Sequence, residues 1–170
     1  MKIRFLGILV CLFATASLFA AGNANLQPIA GSWTCTGTGF AGDMGPEHPT
    51  KAAVRTSWEL GDKWLQVWYK ESKTEKNPHP VEAELLMSYD EAKKKVVSGC
   101  VDNFGGYCTQ ESGTPPWDGD KMVLEGNSTG GGKTMKSRDT FTKGKDWIKH
   151  MGELEMNGKW TKTDEETCKK

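Results

Sequence analysis

The residues best suited to chemistry gather in the last third of the chain. Counting outward from two tight turns, Gly144-Lys145 and Asn157-Gly158, sets Asp139 opposite His150 and Glu165 opposite the same His150, with Ser137 diagonally beside them. An imidazole between two carboxylates is held protonated by its neighbours, while burial pushes the other way. Three uses follow. The cluster can stiffen a sheet as a satisfied polar ladder, anchor the polar end of a bound molecule, or serve an enzyme in acid–base chemistry through Asp139, His150 and Glu165. A Ser-His-Asp hydrolase is not expected, because nothing supplies an oxyanion hole and cross-strand pairing does not give nucleophile geometry. No catalytic residue is assigned. Trp58, Tyr69 and Phe141 fall on the same face around the cluster, where Trp58 and Tyr69 read first as core and second as contacts for a ligand.

Cysteine is the second chemistry-bearing type. Cys35, Cys100, Cys108 and Cys168 lie beyond residue 24, an even number that in an exported chain reads as disulfides. Zinc would need ligand spacings such as a C-x-x-C pair, which the chain lacks, so no metal site is expected. Lys95 to Asn103 and Gly106 to Ser112 make a hairpin in which Cys100 faces Cys108 and Val101 faces Tyr107. That leaves Cys35, in a first strand running through Gly31-Ser32-Trp33-Thr34-Cys35, to join Cys168 in the last. The Cys35–Cys168 bond would tie the two ends of the sheet together.

The elements that must position these residues are strands. Ala52, Val54, Thr56, Trp58 and Leu60 alternate with polar residues, turn at Gly61-Asp62, and meet Leu65, Val67 and Tyr69 on the return. Opposing Leu65 to Trp58, Val67 to Thr56 and Tyr69 to Val54 puts apolar faces together. Ala83, Leu85, Met87 and Tyr89 repeat the pattern after the break at Asn77-Pro78-His79-Pro80. Gly113 to Asp120, with Pro115 and Pro116, reads as a long connection, and Lys121 to Asn127 as a short strand. Gly130-Gly131-Gly132-Lys133-Thr134 resembles a phosphate loop only superficially and reads as a hairpin loop. Ten strands with one apolar face and no major helix call for an all-β, up-and-down antiparallel barrel. On the other face, Glu153 would pair with Lys162 and Lys149 with Glu166, and Arg55 would cover Trp68, the alternative being that Trp64 and Trp68 form an exposed patch for a partner. One conflict stands: simple alternation puts Trp33 on the face of Cys35, while the turn count sends Cys168 outward.

Lys2 and Arg4 followed by the uncharged run Phe5 to Ala21 and a small-residue exit read as a signal peptide over residues 1–24, leaving one domain over 25–170. The run is too short for a membrane span, and Cys11 lacks a lipoprotein setting. Removing Lys2 and Arg4 from the 22 basic residues leaves them slightly outnumbered by the 22 acidic ones, with the signs interspersed. No basic face marks a nucleic-acid binder. A secreted or periplasmic monomer holding a small apolar or amphipathic molecule is the expected reading. An envelope protein with a filled core, working through its surface, is the rival. His48 and His79, in Pro-flanked loops, are expected in solvent.

The segments AGSWTCTGTG, TSWELGDKWLQVWY, SYDEAKKKVVSGCVDNFGG, DGDKMVLEGN and RDTFTKGKDWIKHMGE together resemble the secreted bacterial family called domain of unknown function 1579, and Gly31-Ser32-Trp33 is similar to the G-x-W signature of calycins. The resemblance implies a calycin-like barrel, distantly akin to lipocalins and fatty-acid-binding proteins, with no established activity. It also implies a basic residue from the last strand over the first-strand Trp33, a place Lys162 would have to fill. No cofactor is expected. Haem, which some ten-stranded calycin-like barrels bind through a late-strand histidine, would have to use His150.

Overall fold

The computed structural model describes residues 24–42 and 45–170. The expected signal peptide therefore lies almost wholly outside the described residues. Ten strands follow in order: β1 (Ser32–Gly39), β2 (His48–Glu59), β3 (Trp64–Glu71), β4 (Glu82–Asp90), β5 (Lys95–Asp102), β6 (Tyr107–Asp118), β7 (Lys121–Gly130), β8 (Lys133–Lys143), β9 (Trp147–Met156) and β10 (Lys159–Lys169). Each pairs antiparallel with its neighbours in sequence, and β1 pairs with β10, so the sheet closes into a barrel. Closure removes the free edges that would otherwise invite another chain to pair.

The β2–β3 register sets Trp58 against Leu65, Thr56 against Val67 and Val54 against Tyr69, as the alternation requires. Cys100 faces Cys108 in β5–β6, and Cys35 faces Cys168 across the β1–β10 seam. Both pairs are bonded. Where the sequence reads as a long connection, β6 instead continues to Asp118 through a break in its register between Ser112 and Trp117. Pro115 and Pro116 have no N–H to give a ladder, so pairing lapses there and resumes.

One end of the barrel is stoppered. The segment before β1 folds back so that Leu26 and Ile29 are buried, 1 % and 4 % exposed. Trp33 Nε1 donates to Ile29 O at 2.9 Å and Trp117 Nε1 to Asn25 O at 2.7 Å, fixing the stopper to two walls. Leu65, Met87, Val96, Met122 and Leu124 fill the adjacent interior, each with no measurable exposure. The long loops β1–β2 and β3–β4 stand at the opposite end.

The last hairpin departs from the turn count. Asn157 and Gly158 both have positive φ, 52° and 74°, as the two-residue turn demands. Pairing then runs Lys159 to Met156 through Lys162 to Glu153, but Asp164 next faces Gly152. Thr163 is the extra residue of a β-bulge. Every later side chain in β10 therefore exchanges faces relative to simple alternation. Cys168 turns inward to meet Cys35, and Trp33 is buried inside with it, 7 % exposed. The bulge resolves the conflict at the first strand.

Candidate functional site

Between the stopper and the loops lies a cavity of ≈ 290 Å³. Ile29 and Trp33 floor it, Val54, Val67, Leu85 and Phe141 form apolar walls, and Phe40, His48, His79 and Phe104 rim the loop end. A cavity this size holds the volume of roughly ten waters.

The polar wall is built from two rows that cross β8, β9, β10, β1 and β2. One row reads Asp139, Gly152, Asp164, Gly39, His48, and the next Phe141, His150, Glu166, Gly37, Thr50. The glycines are the reason these side chains fit. A methyl group at Gly152 would run into the Asp164 carboxylate and come within 2.7 Å of Thr163 Oγ1, one at Gly39 would lie 2.8 Å from the His48 ring, and one at Gly37 would strike the β10 backbone. Polar side chains lean into the space each glycine leaves.

His150 is held from both sides. Its Nε2 lies 2.9 Å from Asp139 Oδ1 and its Nδ1 3.0 Å from Asp164 Oδ2. Gln110 Nε2 donates to the other oxygen of Asp139 at 2.6 Å and to Ser137 Oγ at 3.1 Å. Burial opposes the charge on His150, but Asp164 beside it and the hydrogen bonds to Asp139 and Asp164 outweigh burial and hold the imidazolium well above the usual histidine range. Burial likewise works against Asp164, yet the imidazolium, Thr163 Oγ1 and the Gly152 N–H keep its carboxyl below the usual range. What exposure His150 and Asp164 retain, 26 % and 34 % of their side chains, is onto the cavity they line.

Glu166 and Tyr69 behave differently. Tyr69 Oη donates to Glu166 Oε1 at 3.0 Å. Burial drives the Glu166 carboxyl upward and Asp164 adds to it; Thr50, Tyr69 and His150 pull it back only in part. Tyr69 is pushed far up, first by burial and then by Glu166, Glu71 and Asp164, so its proton stays. Glu71, 4 % exposed, accepts from Asn77 Nδ2 at 2.7 Å and Val81 N at 2.9 Å, with His48 Nε2 at 3.6 Å from its other oxygen.

A family model described as "protein of unknown function (DUF1579)" matches residues 21–170. The chain belongs to this family. No curated protein matches the sequence.

In this DUF1579 protein several expected placements change. Glu165 does not face His150: the Thr163 bulge sets it against Met151, on the outer face, where Lys149 Nζ at 2.6 Å and Lys162 Nζ bond it. Those hydrogen bonds, Lys149's first, lower its carboxyl. Asp164 and Glu166 take the interior places instead, and Lys149 faces Thr167 rather than Glu166. Asp139 stands diagonal to His150 because the β8–β9 loop is longer than two residues, which sets Phe141 opposite His150 with ring centroids 5.0 Å apart. Glu153 does face Lys162, but its ion pair is with Arg138, at 2.8 Å. Tyr69 and Phe141 line the cavity; Trp58 packs on the core and Ser137 is buried behind Asp139, so neither reaches the lumen.

Three further expectations move. His48 is not in solvent but half-buried, opening β2 over Gly39, whereas His79 is exposed on the rim, as expected. The basic residue over Trp33 is Lys170, 4.8 Å from the ring centroid, while Lys162 lies over Phe40. Arg55 faces Trp68 in register, yet Trp68 stays half exposed and the ring-stacked arginine of the described residues is Arg138, over Trp160 at 4.4 Å.

The arrangement decides what His150 can do. With both nitrogens donating to carboxylates it has no lone pair for haem iron or for a general base. The residues do not fit haem. Cys35, Glu166 and Cys168 come close enough together to suggest a metal, but the two sulfurs are bonded to each other and offer no thiolate. Sequence reasoning missed Asp164, Glu166, Glu71 and Thr50. The alternating Gly37 and Gly39 in β1 were the signal, since glycines inside a strand mark places where other groups approach closely.

Proposed function

We propose that this protein holds a small apolar or amphipathic molecule inside its barrel. The supporting observation is the ≈ 290 Å³ cavity, apolar on most of its wall, with Tyr69, Asp139, His150, Asp164 and Glu166 gathered on one side. Polar groups confined to one wall of an apolar pocket fix orientation in small-molecule sites. Asp139, His150, Tyr69 and Phe141 keep the lining role expected of them, joined by Asp164 and Glu166 in place of Glu165. The protein acts as an exported monomer: the N-terminal leader pattern and two disulfides suit an oxidising compartment, and a closed barrel offers no strand edge.

Native mass spectrometry of freshly purified protein tests this reading. A mass above that of the polypeptide, lost on organic extraction, is expected. A bare mass, together with no binding of any apolar or amphipathic probe, would sink it.

A second reading rests on the outer surface. Trp68, Val101, Phe104 and Tyr107 are each half exposed or more, and Val101 and Tyr107 face each other across β5–β6. If this patch is the working surface, substituting Trp68, Val101 and Tyr107, which do not line the cavity, with Ser abolishes capture of a protein partner and leaves the cavity's binding untouched.

A further inference from the structure

The chemistry of the cavity narrows the class of molecule it takes. Five carboxylates line it, Glu71, Asp102, Asp139, Asp164 and Glu166, and no lysine or arginine is among the described lining residues. The ion pairs of His150 are with the two aspartates that grip it, Asp139 and Asp164. Asp102 is spent on its own turn, accepting from Phe104 N and Gly106 N at 2.8 Å each. Glu71 and Glu166 are 4 % and 3 % exposed; Glu71 has only the His48 ring, 3.6 Å from one oxygen, and Glu166 forms no ion pair among the described residues.

A second observation points to the same corner. Thr50 lines the cavity, is 7 % exposed, and its Oγ1 makes no hydrogen bond of regular geometry, although it is near enough to Glu166 to affect it. Gly37 separates Thr50 from Glu166 in the row and puts no side chain between them. Leaving a buried hydroxyl unpaired is costly, and a bound donor removes the cost.

We infer that the ligand is a small amphipathic amine, its protonated nitrogen set in the corner formed by Thr50, Tyr69, Glu71 and Glu166 and its apolar body lying along Val54, Val67, Leu85 and Phe141. This inference rests on the reading that the barrel holds a small molecule. An ammonium group offers N–H donors to the carboxylates and to Thr50 Oγ1, and charge-assisted hydrogen bonds are the strong ones. A carboxylate headgroup would meet like charge and, among the described lining residues, no lysine or arginine to grip it. The volume limits the ligand to roughly ten non-hydrogen atoms.

The test compares octylammonium, octanol and octanoate by titration calorimetry at neutral pH, with intrinsic tryptophan fluorescence as a second readout. Octylammonium should bind at least about tenfold more tightly than octanol, and octanoate most weakly. Glu166→Gln and, separately, Glu71→Gln should weaken octylammonium by about tenfold and octanol by much less, narrowing the gap between the two, with unaltered circular dichroism confirming the fold. Octanol binding as tightly as octylammonium, or octanoate binding best, overturns the amine inference and leaves the small-molecule reading standing. Failure of all three probes overturns both.

Discussion

Asp164 Oδ2 reaches His150 Nδ1 at 3.0 Å by leaning across Gly152, which faces Asp139 on one side and Asp164 on the other. Both carboxylates that grip the ring pass over a position with no side chain. Gly152→Ala should therefore break the grip. Its methyl would collide with the Asp164 carboxylate and crowd Thr163 Oγ1 at 2.7 Å, a strain of about 1–3 kcal/mol. Urea denaturation should show that loss, and the His150 ring resonances should shift toward ordinary titration. An unshifted His150 would mean the glycine is not what lets Asp164 in.

The His150 grip also sets a pH dependence. Its folded pKa is raised, so its contribution to stability is complete below the unfolded value of about 6.5 and is lost as pH rises through the folded value. Asp164 is depressed, so its contribution is present above the unfolded value and lost as pH falls through the folded one. Stability should thus decline on both flanks. In His150→Gln the alkaline decline should shrink, read from urea midpoints at about pH 6 and about pH 9. An unchanged alkaline arm in the variant would remove His150 as its source.

How much of this could be read from the sequence depended on where alternation was unbroken. The strands β2 to β5 carry period-two patterns and tight turns, and Trp58–Leu65 and Cys100–Cys108 came out in register. In β10 the count failed at Thr163, because nothing in Lys162-Thr163-Asp164 distinguishes a bulge from a regular strand. That one residue put Glu165 outside and Asp164 and Glu166 inside. His150 and Asp139 were legible as a pair because an even-numbered slip keeps both on one face. Their second carboxylate was legible in type but not in number.

Glu166 offers a contrasting test. Its folded pKa is raised, so the folded state holds that proton more tightly than the unfolded one, and stability falls as pH climbs from the unfolded value to the folded value. Glu166→Gln removes that loss while keeping an oxygen for Tyr69 Oη. Its melting temperature should exceed the wild-type value at pH 7, and the two should converge below about pH 4. A Gln variant less stable at neutral pH would show the carboxylate is a structural partner, not a group retained at a cost for binding.

The seam bond should matter more than the hairpin bond. Cys35 and Cys168 are separated by 133 residues and Cys100 and Cys108 by 8. Chain entropy assigns about 5 kcal/mol to the first and about half that to the second. Cys35→Ser with Cys168→Ser should lower the denaturant midpoint about twice as far as the matching Cys100, Cys108 pair. Equal effects would mean the β1–β10 pairing holds without its covalent tie.

The bulge itself gives the sharpest test of register. From the Asn157-Gly158 turn, an unbroken count places position 163 opposite Gly152, the place Asp164 now occupies. Deleting Thr163 should therefore straighten β10 without moving any later partner: Asp164 still faces Gly152, Glu166 still faces His150, and Cys168 still bonds Cys35. What is lost is local, the hydrogen bond from Thr163 Oγ1 to Asp164 at 3.0 Å and that from Phe40 N to Thr163 O at 2.8 Å, together about 1–3 kcal/mol. In the deletion variant a thiol assay should find Cys35, Cys100, Cys108 and Cys168 all still bonded. Two reactive thiols would mean the strand keeps its native path to Thr161 and then turns Cys168 outward, and the account of how the polar wall is assembled would fall with it.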